Sequence, residues 1–407
     1  MSPKIKWIYL AAFLDLFAVS LILPSMAAHL KSLGASYFMI GMMTSIYAST
    51  QLLSGPIIGS WSDKIGRQKL FVITYLIVGC CYPLIGFINS FYIILLLRAT
   101  IGIFKHGQVL IRTIVTDQIP IDNQSLLFGH LKSIAGVSFT LGPAIGGHLS
   151  ELDKGFSYVA CCTGFLLILN SVIGYLYLDD VQNENAASKQ YKDERKKKSK
   201  SLREEISEAI RSLAEVNWRL FGQVFTLKFI LDVSAGVYHS NYNIKIQERF
   251  GITPKISGYT IAFQSFVGVI TGLFVANIND KLYKTDVDYK KRNTHGFILM
   301  AIGYLGIYFA TSLSVFLLWT VVLKTSHMFM RIILTDMLMR KCPSSQTGSV
   351  AGTSNSVSNF ARLITPVLAG IFEDTWGTNS ANFLAAVIAS IGILVSLNIK
   401  KNHSKTQ

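Results

Sequence analysis

The chain alternates long apolar runs with short polar links. A helix needs about 20 mostly apolar residues to cross a bilayer. Twelve runs meet that need, at roughly 7–29, 37–61, 70–88, 91–115, 126–149, 156–178, 219–241, 256–278, 294–311, 314–337, 350–372 and 380–398. The first is long, uninterrupted and without a small-residue cleavage site, so it reads as a span and not as a signal peptide. Composition agrees. Hydrophobic residues make up 51% and charged residues only 15%, against about a quarter charged in soluble domains. The pattern predicts an all-α integral membrane protein that crosses the bilayer many times.

One polar stretch, 179–217, divides the runs six and six. It predicts a six-helix half at 1–178, a linker at 179–217, and a second six-helix half at 218–407 ending in a short basic tail. Within the linker, Leu202, Ile206, Ala209, Ile210 and Leu213 recur at helical spacing, the sign of an amphipathic surface helix. The net charge of +15 follows the same map. If the N-terminus lies inside, the inward segments hold about 25 Lys and Arg, among them Lys4, Lys6, Lys64, Arg67, Lys69, Lys400, Lys401 and Lys405. The outward loops hold Lys31, Lys154, Lys245, Arg249 and Lys255. This bias puts both termini in the cytoplasm. The basic excess therefore reads as topology, with attraction to anionic membrane lipid, and no nucleic-acid partner is expected. Plasma membrane and organelle membrane stay equally open.

The two halves repeat. Lys105, Arg112 and Asp117 in span four recur as Lys324, Arg331 and Asp336 in span ten, each 219 residues later. Leu14-Asp15 in span one recurs as Leu231-Asp232 in span seven. Ser133, Pro143 and Gly147 in span five recur as Ser356, Pro366 and Gly370 in span eleven. Charges inside spans are rare, so matched sets carry weight. Each half has an even number of spans, so the copies enter the membrane with the same orientation. That predicts a pseudo-two-fold axis along the membrane normal.

Four stretches supply a family resemblance. Gly59, Asp63, Gly66, Arg67 and Lys69 form a G-x3-D-x2-G-R-x-K link between spans two and three, which resembles the corresponding loop of the major facilitator superfamily. Arg98 and Gly102 resemble its helix-four R-x3-G. Gly142-Pro143-Ala144-Ile145-Gly146-Gly147 resembles the G-P-x2-G-G of helix five in its drug/proton antiporters. Phe13 to Pro24, with Asp15 inside, is similar to helix one of tetracycline/proton antiporters. The resemblance implies two six-helix bundles that rock about a central cavity lined by helices one, four, seven and ten. It implies further that Asp63, Gly66, Arg67, Arg112 and Asp117, with Asp280, Arg331 and Asp336 in the second half, gate the cytoplasmic side. Asp280-Lys281 stands where the second copy of the loop belongs, without its Gly-Arg pair. A simpler reading, in which these charges anchor helix ends at the headgroups, stays open. The glycines allow close helix contact, and Pro143 removes a backbone donor and kinks its helix; a kink for packing alone is the alternative.

Within that fold the simplest ion pairs are Asp15 with Lys105 and Asp232 with Lys324. They either neutralise one another permanently or break and re-form as solute and proton bind. A carboxylate that alternates between those states changes its proton affinity. Arg98 either couples protons or holds helix one or two. His327, one turn from Lys324, either faces the cavity or packs. Arg362 in span eleven borders the cavity. Counting Arg98, Lys105, Lys324 and Arg362 against Asp15 and Asp232 leaves two deep positive charges over. A bound organic anion is one partner for them; neutral and cationic solutes stay open.

No P-loop, nucleophile elbow, zinc-protease motif or Cys/His metal spacing occurs. The sequence thus predicts a transporter and not an enzyme, with no cofactor and no metal, acting as a monomer on a small-molecule solute. Proton-coupled antiport is favoured; a uniporter, or a receptor or chaperone that kept the fold, is the alternative.

Overall fold

The computed structural model describes residues 3–178, 218–342 and 347–399, and every regular element in it is a helix. The first half contains α1 (Pro3–Ser32), α2 (Tyr37–Ile65), α3 (Arg67–Phe87), α4 (Phe91–Phe104), α5 (Gly107–Gln118), α6 (Ile121–Leu149) and α7 (Gly155–Tyr177). The second contains α8 (Trp218–His239), α9 (Tyr242–Phe250), α10 (Pro254–Leu282), α11 (Lys290–Phe309), α12 (Leu313–Lys341), α13 (Thr347–Trp376) and α14 (Ser380–Leu397). The linker expected at 179–217, with its amphipathic segment, and the basic tail from 400 on lie outside the described residues.

Each half buries its own apolar cluster. One runs from Ile8 to Leu178, the other from Phe221 to Ile399. Outward-facing Phe87, Tyr92, Leu96, Phe165, Leu273, Phe309 and Leu318 stay exposed. Apolar surface on that scale belongs against lipid. Taking α4 and α5 as one interrupted crossing, and setting aside the nine-residue α9 as too short to cross, gives the twelve crossings expected. Eight helical stretches are long and apolar enough to span a membrane on length and composition alone. The other four crossings are α2, α6, α11 and α13. Three of those, α2, α6 and α13, pack against the opposite half, which explains their extra Ser, Thr and Gly.

Packing repeats as the sequence does. In the first half α1 packs on α6 and α7, α3 on α7, and α2 on α4. In the second, α8 packs on α13 and α14, α11 on α14, and α10 on α12. The seam between halves is made twice by matching residues. Gly41 of α2 lies against the Pro366 carbonyl of α13, and Gly258 of α10 against the Pro143 carbonyl of α6. Gly370 rests on Tyr37 and Phe38, and Gly147 on Pro254 and Lys255. A Cβ at Gly41 or Gly258 would overlap a backbone carbonyl, so no other residue fits there.

Two local features differ from the sequence reading. Span four is not one helix: it breaks at Lys105 and His106. The stretch read as a loop after span seven contains the short helix α9. At the α2–α3 link Gly66 has φ +99°, a conformation that other residues rarely adopt.

Gly41→Ala and Gly258→Ala are each expected to destabilise the detergent-solubilised protein by about 1–3 kcal/mol, the usual cost of overpacking. Gly268→Ala, on α10 with open space around it, should leave the thermal midpoint unchanged or raise it.

Candidate functional site

The deepest charge is Asp15, 1% exposed in the middle of α1. Lys105 meets its Oδ1, and Gln108 Nε2 donates to Oδ2 at 2.7 Å. The break between α4 and α5 makes this possible. Lys105 closes α4 in a non-helical conformation, with φ −80° and ψ 70°. Its carbonyl, freed from helical bonding, accepts from Gln51 Nε2 at 2.6 Å. His106 beside it meets Ser54 Oγ at 2.8 Å. Gly107 admits the Tyr75 hydroxyl, which any side chain there would displace, and Lys105 Nζ lies 5.1 Å from the Tyr75 ring centre. Non-helical backbone at membrane depth is tolerated only where other protein groups or water satisfy it. Here α2 does so. Gln51 and Gln108, which complete the site, were missed by the sequence reading. Their only signal was an amide side chain within an apolar span.

The second expected pair does not form. Asp232 is held by Lys228 at 3.3 Å, one turn earlier on α8, and by the Ser358 hydroxyl at 2.6 Å. Lys324 donates instead to His239 Nε2 at 2.9 Å. The reason is directional. Side chains on a continuous helix lean toward its N-terminus. The antiparallel helices α8 and α12 thus carry Asp232 and Lys324 away from one another. Lys105 escapes this rule because its helix is broken. Lys228 also corrects the mid-span count of basic groups, which omitted it. His327 meets the Tyr304 hydroxyl at 2.6 Å, and its ring centre lies 6.4 Å from that of His239.

Arg98 lies 4.8 Å over the Tyr47 ring of α2, with Nε buried and unpaired. Gly102, one turn on, sits against Thr50 and the Tyr47 carbonyl. The R-x3-G pair thus forms the α4 surface that packs on α2. Arg362 is exposed and has no ion pair among the described residues.

At the face bearing the chain termini, Arg67 bridges Asp63 at 2.6 Å and Asp117 at 3.1 Å, and bonds Ser62 Oγ at 2.7 Å. The expected Arg112 is exposed and stands outside this cluster. In the second half the Tyr289 hydroxyl takes the place of Arg67 and donates to Asp336, which also pairs with Arg340 at 3.1 Å. Arg331 and Asp280 are exposed and outside the pair. The loop after α10 is tied instead by Arg292 to Asp286 at 3.2 Å and to Asn279 at 2.8 Å. Each of these clusters lies within one half. None of the bonds described at this face joins the halves.

The opposite face is sealed across the halves. Asp374 accepts from the Tyr37 and Phe38 amides at 3.0 and 2.8 Å, capping α2. The Tyr37 hydroxyl donates to Glu248. Asn243 and Gln247 donate to the Leu23 and Pro24 carbonyls at 2.7 and 2.9 Å. Glu151 accepts from Thr253 at 2.6 Å, and that bond holds its carboxyl below the usual range, with Lys255 at 3.5 Å assisting. Behind this seal Lys245 pairs with Glu373, which is 2% exposed, at 3.1 Å. Lys245 and Arg249, counted from sequence as loop charges, belong to α9. Gly142 and Gly146 seat α6 against Ser20 and Leu21 of α1, while Gly147 faces α10. α6 runs unbroken through Pro143. Among the described residues no cluster of potential metal ligands occurs.

Comparison with known proteins gives one consistent result. Residues 8–366 match the family described as Major Facilitator Superfamily. The quinolone resistance protein NorA of Staphylococcus aureus is 22% identical, over 100% of this chain and 98% of its own. Two solved structures share the fold. A bacterial homologue of the human lysosomal transporter Spinster, inward-facing and unoccupied, has a TM-score of 0.77 at 14% identity, over 98% of this chain and 97% of that one. The human organic anion transporter MFSD10 (TETRAN) has a TM-score of 0.66 at 17% identity, over 97% of this chain and 100% of that one.

Asp15→Asn strands the Lys105 ammonium in a buried site and is expected to cost about 3–5 kcal/mol. Thermal unfolding of the purified protein should show that loss, and Asp15→Asn with Lys105→Met should recover most of it. Asp232→Asn should cost less, because Lys228 and Asp232 are less deeply buried than Lys105 and Asp15.

Proposed function

The chain belongs to the major facilitator superfamily, and we propose that it exchanges protons for a small organic solute by alternating access. A multi-pass membrane transporter is the coarse statement that the family carries; coupling, solute and sidedness are our reading. The observation that carries it is Asp15, buried at mid-span against a lysine that sits at a helix break. Buried carboxylates with one movable cationic partner change proton affinity when that partner leaves. A hinge at 105–106 gives Lys105 the freedom to leave, which a continuous helix would deny. Discontinuous helices at mid-membrane are where such transporters bind solute and coupling ion.

The one-sided seam supports alternating access. The polar bonds described between the halves all lie at the opposite face, and we read the terminal face as the open one. With both termini in the cytoplasm, on the distribution of Lys and Arg, this is an inward-open state. Arg67, Asp63 and Asp117 then brace the first half for the contact that closes the cytoplasmic side, with Arg112 and Arg331 free to cross. Solute enters between the halves near Lys105, Lys324 and Arg362. The surplus of deep basic groups, enlarged by Lys228, favours an anion. NorA is a drug-resistance protein and MFSD10 an organic anion transporter by name; both fit a small organic solute. Leu14-Asp15-Leu16-Phe17 and Trp61-Ser62-Asp63 also resemble stretches of an animal orphan transporter, major facilitator superfamily domain-containing protein 9, a likeness that names no solute. We take the protein to act as a monomer in lipid.

Proteoliposomes holding a pH-sensitive dye test this reading. With pools of anionic, cationic and neutral solutes, one pool should evoke proton flux in the native protein and none in Asp15→Asn. Solute movement without proton flux, unchanged by the substitution, would instead make the protein a uniporter. The outer seal gives a second expectation. Glu373→Gln leaves Lys245 unpaired, so spin labels placed near residues 31 and 378 should move apart relative to the native protein.

A further inference from the structure

The halves build the same three positions and fill them differently. Lys105, Gln108 and Arg112 of the first correspond to Lys324, His327 and Arg331 of the second, all 219 residues apart. On the continuous helix α12 the spacings of three and seven keep Lys324, His327 and Arg331 on one face; in the first half the break aims Lys105 separately. In the first half, Lys105 and Gln108 together grip the two oxygens of one carboxylate, Asp15. In the second half, no carboxylate among the described residues reaches Lys324 or His327. Asp232, the residue the repeat would supply, is held by Lys228 and Ser358. Lys324 donates only to the neutral acceptor His239, and His327 meets Tyr304. His239 is exposed and Lys324 and His327 are half-buried. Arg331 lies one turn further along, exposed and without an ion pair among the described residues.

We propose that Lys324 and His327, with His239 beside them, dock the carboxylate group of the transported solute. The second half receives from the solute the anion that the first half receives from Asp15. The first half of the same molecule holds a carboxylate at this pair of positions. A lysine within a span needs a counter-charge, and His239 supplies a hydrogen-bond acceptor but no charge. An arriving carboxylate replaces His239 as the acceptor, while the imidazole of His327 takes the place that the amide of Gln108 has beside Asp15. The solute class is therefore an organic carboxylate, distinguished from its own amide by charge. This inference rests on the transport reading above.

The test uses the full chain in lipid nanodiscs, an uncharged amine-acylating reagent, and peptide mass spectrometry to follow Lys324 and Lys105. Acetate and benzoate are the probes; acetamide and benzamide are their neutral counterparts. Benzoate should slow acylation of Lys324 in a saturable way, by about tenfold or more when well above its dissociation constant. Benzamide should not, and Lys105, already occupied by Asp15, should be indifferent to both. His327→Gln, which copies Gln108, should keep the protection. His239→Asp provides a carboxylate from within and should abolish the effect of benzoate while itself slowing acylation. The proposal is overturned if neither carboxylate protects Lys324, if the amides protect equally, or if His239→Asp leaves benzoate protection intact. The native protein alone supplies the first two readouts, so a variant that fails to fold does not block the test. Proton flux that depends on Asp15, with no carboxylate protection of Lys324, would remove the docking site and leave the coupling mechanism standing.

Discussion

A charged side chain at mid-membrane has to find a counter-charge or reach water, and the structure is arranged around how each deep charge meets that demand. Asp15 and Lys105 meet it in full: the carboxylate is enclosed, both of its oxygens are occupied, and the backbone break that delivers Lys105 is itself satisfied by Gln51. The insertion cost of such a charge, roughly 2.5–3.5 kcal/mol at a helix centre, explains why so much of α2, α4 and α5 is committed to one pair. The second half meets the demand by other means. Asp232 takes Lys228 from its own helix, and Lys324 is left with an imidazole. In the first repeat unit the deep lysine meets a carboxylate; in the second, among the described residues, it meets only an imidazole.

The seam between the halves has a division of labour that suits rocking. Along its length glycine lies on backbone, Gly41 on Pro366 and Gly258 on Pro143, with Tyr259 bonded to His148 at 2.9 Å beside the second of these contacts. The polar bonds gather at the face away from the termini, where Asp374 caps α2 and Glu248 accepts from Tyr37. Breaking that set costs several charge-assisted bonds at once, which favours two discrete states over a continuum.

Much of this was legible in the chain. The apolar runs located the crossings, and the charges recurring at one offset gave the duplication. Asp15 and Lys105 could be paired because each is the lone charge at its depth in its own span. Asp232 and Lys324 could not, because spacing along a helix reports depth but not the lean of a side chain, and the break that re-aims Lys105 has no equivalent in α12. The repeat also hid substitutions of kind: Tyr289 does for Asp336 what Arg67 does for Asp117. The gate expected of Arg112 and Arg331 was read from family likeness, and both are exposed, outside the ion-pair clusters described. The pairing of Lys245 with Glu373 escaped notice because α9, Tyr242–Phe250, is too short to impose a clear period.

The most direct measurement is infrared difference spectroscopy of the reconstituted full chain between acidic and neutral buffer, with Asp15→Asn as the assignment control. If Asp15 takes up the coupled proton when Lys105 withdraws, a protonated-carboxyl band titrates in the native protein and is missing from the variant. A set of bands that the Asp15→Asn substitution leaves unchanged would mean that Asp15 stays ionised throughout, a permanent partner of Lys105, and would contradict the account.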